Sequence, residues 1–367
     1  MNETVAALAL QLVPDIGPAT AKKLIDACGS PANVFSASRK SLSGIEGLGV
    51  RRIESIERFQ AWDAAERIAG ECGHKGISVT SYGSVDYPEL LGQISDPPTV
   101  LYYKGTLSAS DKYAIALVGS RASTPYGKNV AQYLSEGLAS MGFTIVSGMA
   151  RGIDSIAHMG ALRKKGRTVA VLGSGVDIVY PAEGRGLYEK IQDSGSVMSE
   201  FPIGQAPNRE NFPRRNRVIS GLSLGIVVIE AAKGSGTLIT AQSALEQGRE
   251  VFAVPGNITA ATSHGTNELL KSGAKMITRT DDVVRELGHV LKGFIQREKQ
   301  SVVEITPDEK MVCDALSCEP LHIDEITRRT GHPTSRVLGL LLGLELKSVV
   351  RQVDGKKFSL LQEVQRV

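Results

Sequence analysis

The stretch "YAIALVGSRASTPYGKNVAQYLSEGLASMGFTIVSG", Tyr113 to Gly148, reads as strand, helix and strand in succession. "YAIALVGS" and "FTIVSG" are apolar on both faces and rich in β-branched residues, as strands covered by helices on both sides must be. The segment between them, "GKNVAQYLSEGLASMG", has the composition of a helix. The same alternation extends outward in both directions. Upstream lie the strands "GISVTSYG" and "TVLYYKG"; downstream lie "RTVAVLGS", "SVMSEFP", "LGIVVIEAA", "EVFAVPG" and "AKMITRT". Helical stretches such as "GIDSIAHMGALRKKG" and "LITAQSALEQG" separate them. This pattern predicts an α/β fold, a doubly wound and mostly parallel sheet, over residues 73–290.

The flanks have a different character. Residues 1–72 read as short helices broken by Gly and Pro, and "VPDIGPATAKKLIDACGS" and "LSGIEGLGVRRIESIERF" share one layout: an apolar residue, a tight turn, then a helix opening on small or basic residues. That is a repeated helix-hairpin-helix pattern, a small helical (SAM-like) domain in which turn N–H groups can face a phosphate. In the first copy Asp15 stands where the second has Gly47. Residues 291–304 read as a linker. Residues 305–367 give three helices and a hairpin turning at Asp354-Gly355, a winged-helix arrangement. The helix starting at Pro333 would be its recognition helix, with Arg336, Lys356 and Lys357 the groups free for phosphate.

Composition narrows the partners. The chain has 42 Lys+Arg against 39 Asp+Glu, a net charge of +3, so an anionic partner has to be met by a local patch. The four cysteines, Cys28, Cys72, Cys313 and Cys318, show neither zinc-ligand spacing nor a disulfide framework. No run of about 18 apolar residues marks a membrane span. The expectation is a soluble, cytoplasmic protein without a metal.

An open parallel sheet binds ligands beyond the carboxyl ends of its strands. Here those ends carry small, donor-rich loops: "GSRAS" (Gly119 to Ser123), "SGMARGID" (Ser147 to Asp154), "GSGVD" (Gly173 to Asp177), "SEFP" (Ser199 to Pro202), "AAKGSGT" (Ala231 to Thr237) and "VPGN" (Val254 to Asn257). Six such loops on one rim favour an anion. Neither a complete G-x-G-x-x-G nor a Walker motif occurs, so no nicotinamide or ATP cofactor is expected. Charge is concentrated instead in "RENFPRRNRVISGLS", Arg209 to Ser223, where four arginines face one glutamate. Arginine donates two parallel hydrogen bonds to a phosphate and stays charged. With Phe201, Phe212, Tyr126 and Tyr180 among the basic groups, the pattern suits single-stranded nucleic acid. Candidate contacts are Gly119, Ser120, Arg121, Phe212, Arg214, Arg215, Asn216, Arg217, Lys233, Gly234, Ser235, Gly236 and Thr237. No catalytic set is evident: His158, four residues after Asp154, could serve as a base, but such pairs are more often structural.

Together the motifs "ALVGSR", "IVSGMARGIDSIAHMGAL", "TVAVLGSGVDIVYPAE", "SEFP", "NFPRRNRVISGLS", "VVIEAAKGSGTLITAQSALEQGREVFAVPG" and "SHGTNELLKSGAKMI" resemble the DNA-processing protein A (DprA/Smf) family, and the two flanking regions match its longer members. The resemblance implies an extended Rossmann-like core that binds single-stranded DNA, forms a homodimer through the later part of that core, and helps load the RecA recombinase during natural transformation. It also implies DNA contacts from Arg121, Arg214, Arg215 and Arg217; Asn216 and Lys233 are added from their position on the rim. Substituting Arg121 or Arg215 is then expected to weaken DNA binding without unfolding the protein. The alternative is a nucleotide hydrolase of the lysine decarboxylase-like (phosphoribohydrolase) group, which the core resembles more distantly. That group carries P-G-G-x-G-T-x-x-E, and here Thr240 stands where the catalytic glutamate belongs, which favours a binder. A sequence-specific regulator is the weakest reading, because the recognition helix offers few groups able to read base edges.

Overall fold

The computed structural model describes residues 2–288, 290–291, 306–317, 320–346, 349–353 and 355–360. The chain divides into two compact units, Met1–Leu291 and Lys292–Val367.

The first unit opens with six helices: α1 (Glu3–Leu12), α2 (Pro18–Cys28), α3 (Pro31–Ser36), α4 (Arg39–Ser43), α5 (Val50–Glu57) and α6 (Trp62–His74). Gly17 and Gly49, both extended, precede α2 and α5, and neither helix has a side-chain cap. The turn before each contains a left-handed residue, Gly47 at φ 79° and Asp15 at φ 63°. Asp tolerates this conformation better than most side chains because it is short and polar. The two hairpins are therefore repeats in backbone as well as in sequence. They are not a loose appendage: Ala7, Leu8 and Ala9 of α1 and Ala65 and Cys72 of α6 share one core with Val100, Tyr102, Ala170 and Val197 of the sheet. Tyr102 places its hydroxyl 2.8 Å from Gln11 Oε1 at this junction.

The sheet follows, with β1 (Ser78–Ser81), α7 (Glu89–Gly92), β2 (Val100–Gly105), β3 (Ala114–Val118), α8 (Pro125–Ser140), β4 (Thr144–Ser147), α9 (Ile153–Arg163), β5 (Thr168–Val171), α10 (Arg185–Ser194), β6 (Ser196–Ser199), α11 (Asn211–Gly221), β7 (Gly225–Val228), α12 (Gly236–Glu246), β8 (Glu250–Ala253), α13 (His264–Lys271), β9 (Lys275–Met276) and α14 (Thr280–Glu286). Its order is β1-β2-β6-β5-β4-β3-β7-β8-β9. Strands β3 to β9 run parallel, and the β1–β2 ribbon joins antiparallel against β6. All nine strands expected from the sequence are present in a mostly parallel sheet. Strands β3, β4, β5, β6 and β7 are buried along their whole length, which is why their sequences do not alternate. Chain order reverses between β3 and β7, where Val118 pairs with Val228. That switch point opens a crevice at the carboxyl edge, and the parallel pairing brings the six small-residue loops to this one edge.

The second unit contains α15 (Pro307–Ala315), β10 (Leu321–His322), α16 (Ile323–Thr330), α17 (Thr334–Leu346), β11 (Val350–Val353) and β12 (Lys357–Leu360), with strand order β10-β12-β11. It is a winged helix around Val312, Ile326, Val337, Leu341 and Phe358. Of the three basic groups expected to be free, Arg336 is not: its guanidinium pairs with Asp308 of α15. Arg336 is exposed as expected, but helix packing brings Asp308 in α15's first turn alongside it. Lys356 and Lys357 are exposed on the wing. Asp354 and residues 292–305, with most of the expected linker, lie outside the described residues.

Candidate nucleic-acid interface

The arginine-rich segment folds as a helix, α11, the crossover between β6 and β7. Pro213 is its third residue, inside the first turn where a missing N–H costs no helical bond. Asn211 fixes this end to the rim by donating Nδ2 to the Gly173 carbonyl at 3.0 Å. Helical phase then divides the three guanidinium groups on α11, Arg214, Arg215 and Arg217; Arg209 precedes the helix. Arg215 shares the inner face with Val218, Ile219 and Leu222, all of them buried. At 3 % exposure, it donates Nη1 to the Gly148 carbonyl at 2.7 Å and to the Val171 carbonyl, the ends of β4 and β5. Gly148 permits this, since a Cβ there would lie 2.6 Å from Arg215 Nη2 and 2.7 Å from Asp154 Oδ2. Burial pulls the Arg215 pKa down to about 10, and the Asp154 carboxylate opposes that shift. Arg217 is also committed. It pairs with Glu200 at 2.5 Å and Asp96 at 3.2 Å and donates to the Asp96 carbonyl at 2.6 Å. Neither Arg215 nor Arg217 is offered to a ligand in this arrangement. Arg209 and Arg214 are exposed, with no ion pair among the described residues; Arg214 stands 5.5 Å from the Phe201 ring.

A third free cation, beside Arg209 and Arg214, completes the face. Arg121, at the end of β3, is exposed and lies 4.8 Å over the Phe212 ring. Phe212 in turn tilts against Tyr180, with centroids 5.8 Å apart, and Tyr180 is 43 % exposed. Cation and rings thus form one stack from two loops and the first turn of α11. The sequence names Tyr180 as one of the rings among the basic groups, and its exposure adds it to the candidate contacts. Asn216 turns inward, accepting from Arg215 Nε at 3.1 Å and donating to the Gly236 carbonyl at 3.3 Å, which ties α11 to the opening of α12. Around that opening Lys233, Gly234 and Gly236 are exposed, Thr237 is half-buried, and the Ser235 hydroxyl has no partner. Ser120 accepts from the Ala122 N–H at 3.2 Å, and Gly119 sits tight against Ile153. Arg121, Phe212 and the opening of α12 are therefore brought to one edge, with Arg215 and Arg217 beneath it. Thr240 is buried within α12.

His158 is fully buried, with Nδ1 2.7 Å from Thr168 Oγ1. That hydroxyl gives its proton to the Ile145 carbonyl at 2.7 Å, so His158 Nδ1 donates and Nε2 is left without a partner. Burial, with Arg215 adding to it, lowers the His158 pKa from 6.5 to about 3. A depressed folded-state pKa means that below 6.5 the unfolded chain binds a proton the folded chain refuses. Stability from neutral His158 is complete above that pH and is lost as pH falls toward the folded value. His158→Asn lacks this titration. The stability of the wild type relative to the variant is expected to fall by about 1 kcal/mol between pH 6.5 and 5.5, measured by urea unfolding at both pH values. A constant difference would contradict the burial of a neutral imidazole.

A doubly wound sheet whose carboxyl edge carries free guanidinium groups over stacked rings, flanked by helix-hairpin-helix repeats and a winged helix, defines a nucleic-acid-binding class of protein. Comparison with known proteins agrees. The model of the DNA recombination-mediator protein A family matches residues 78–288, that of the DprA winged helix domain residues 296–356, and that of the SAM-like helix-hairpin-helix tandem residues 7–57. Protein Smf of Synechocystis sp. is 34 % identical over 386 residues, covering 96 % of this chain and 97 % of that protein. The X-ray structure of DNA processing protein A from Streptococcus pneumoniae superposes with a TM-score of 0.62 at 32 % identity, over 78 % of this chain and 99 % of that one. For the Helicobacter pylori protein, described by its single-stranded DNA binding mode, the TM-score is 0.53 at 30 % identity, over 58 % of this chain and 96 % of that one. The chain belongs to the DprA/Smf family of DNA-processing proteins.

Proposed function

We propose that this protein binds single-stranded DNA along the carboxyl edge of its sheet, without reading base sequence, and acts as a recombination mediator and not as an enzyme. The observation that carries the reading is Arg121, without an ion pair among the described residues, over the Phe212 ring, which itself packs against Tyr180. A guanidinium meets a phosphate while the adjoining rings accept bases, and every base has a face to stack. Arg209, Arg214 and Lys233, exposed and without ion pairs among the described residues, extend the positive path. Gly119, Ser120 and Gly234 to Thr237 contribute backbone and hydroxyl donors. Arg215, Arg217 and Asn216 hold α11 in place. The single-stranded DNA binding stated for the Helicobacter pylori relative supports the same assignment. The resemblance to the family adds the finer parts of the proposal: a homodimer through the sheet domain that works in the cytoplasm and delivers the strand to RecA during DNA uptake.

Fluorescence anisotropy with a labelled oligo-dT strand and a duplex of equal length tests the reading. Single-strand affinity is expected to exceed duplex affinity by about tenfold or more, since only an unpaired base exposes a face for stacking. Equal or tighter duplex binding would remove the rings from the mechanism. Release of free base from nucleoside monophosphates would revive the hydrolase alternative, which the family membership does not favour.

A further inference from the structure

Beside the arginine-bearing half of the rim lies a cleft of about 400 Å³, lined by Thr124, Tyr126, Pro255, Gly256 and Asn257 among others, with Glu230 among its walls. It sits at the switch point, where the carboxyl ends of β3, β7 and β8 meet. Open α/β sheets bind their ligands there, and phosphates at such sites rest on the amino end of the following helix. In this protein that end is already taken. Glu230, 2 % exposed, accepts the Thr124 N–H at 3.0 Å and also the Thr124 hydroxyl. Thr124 is the N-cap of the 16-residue α8, and its side chain accepts from the Gly127 N–H at 3.1 Å. Gly127 makes the room: a Cβ at that position would overlap the Glu230 carboxylate. No lysine or arginine lines the cleft, and Glu230 forms no ion pair among the described residues. A buried carboxylate without a cation is held by the helix end instead.

We infer that Glu230 is a specificity-determining residue: it occupies the switch-point anion position with the protein's own carboxylate and so closes the cleft to phosphate. Mononucleotides and free phosphate are excluded, and a DNA backbone is confined to the Arg121–Phe212 half of the rim. The inference rests on the proposed reading of that half as the strand's path.

The test titrates inorganic phosphate into the full-length wild type, Glu230→Ala and Glu230→Gln, with and without saturating oligo-dT, and counts bound phosphate by equilibrium dialysis. Oligo-dT covers the arginine half, so phosphate bound in its presence reports on the cleft. Glu230→Ala is expected to gain one saturable site that oligo-dT does not displace, at least tenfold tighter than any such binding by the wild type. Glu230→Gln, neutral and of the same shape, is expected to remain folded and to bind phosphate more weakly than Glu230→Ala. No gain in either variant overturns the inference, as does non-displaceable phosphate on the wild type. Loss of folded protein in Glu230→Gln also overturns it, by assigning the carboxylate to architecture. Failure of oligo-dT to bind the wild type would instead count against the proposed function, while the phosphate titration stays readable.

Discussion

Replacing Arg215 by alanine is expected to lower the stability of the first unit by about 3–5 kcal/mol, the range for breaking one half of a buried charged arrangement. Three costs combine. The Gly148 and Val171 carbonyls lose the donor that satisfies them, and unmade buried hydrogen bonds carry their full desolvation cost. The Asp154 carboxylate, which burial already drives toward its neutral form, loses its main compensating cation. The space left by the side chain remains unfilled beneath the rim. Arg215→Lys keeps a charge that one nitrogen can bring to the carbonyls but loses the Nε–H bond to Asn216, so a smaller loss is expected. Arg121→Ala removes an exposed group and should stay within about 0.5 kcal/mol of wild type. The midpoint of the first cooperative urea transition measures all three. Wild-type stability in Arg215→Ala together with lost DNA affinity would move Arg215 from scaffold to contact. The expectation formed from sequence, that Arg215 can be changed without unfolding, is the one this burial opposes.

That difference shows what the amino-acid order conveys directly and what it does not. The strands were legible because their burial on both faces leaves near-continuous apolar runs, and because each ends in a turn of small residues. The rim was legible for the same reason, since parallel pairing obliges all those turns to share one edge. A cluster such as "RENFPRRNRVISGLS" states how much charge is present but not where each group points. Orientation follows from helical phase: Arg215, Val218, Ile219 and Leu222 fall on one inner face, a spacing visible in the sequence once α11 is taken as a helix. The partners of Arg217 could not be found that way. Asp96 lies 121 positions away and Glu200 17, at the end of the preceding strand, and only the sheet order places β6 and the α7–β2 loop beside α11. Glu230 is similar. It reads as one acid after an apolar strand, and its position against Gly127, 103 residues earlier by their numbers, depends on β3 and β7 being neighbours.

If the free guanidinium groups do the binding, reversing two of them should have a large and diagnostic effect. Arg121→Glu combined with Arg214→Glu is expected to weaken oligo-dT binding about a hundredfold at low salt. Each lost phosphate contact releases fewer counterions, so the slope of log affinity against log salt should flatten by about 0.7 per contact, or about 1.4 for the pair. Both side chains are exposed and form no ion pair among the described residues, so the fold should tolerate the change. Phe212→Ala separates the other half of the mechanism. Loss of base stacking costs about 1–3 kcal/mol per base, yet a neutral ring contributes nothing to counterion release, so its affinity should fall with the salt slope unchanged. The two signatures cannot be exchanged. Binding on some other surface would leave both variants at wild-type affinity, and a purely electrostatic groove would make Phe212→Ala neutral. A flattened slope from the arginines with a parallel drop from the phenylalanine is the pattern that only a strand lying across the Arg121–Phe212–Tyr180 stack produces, with its phosphates on the cations and its bases on the rings.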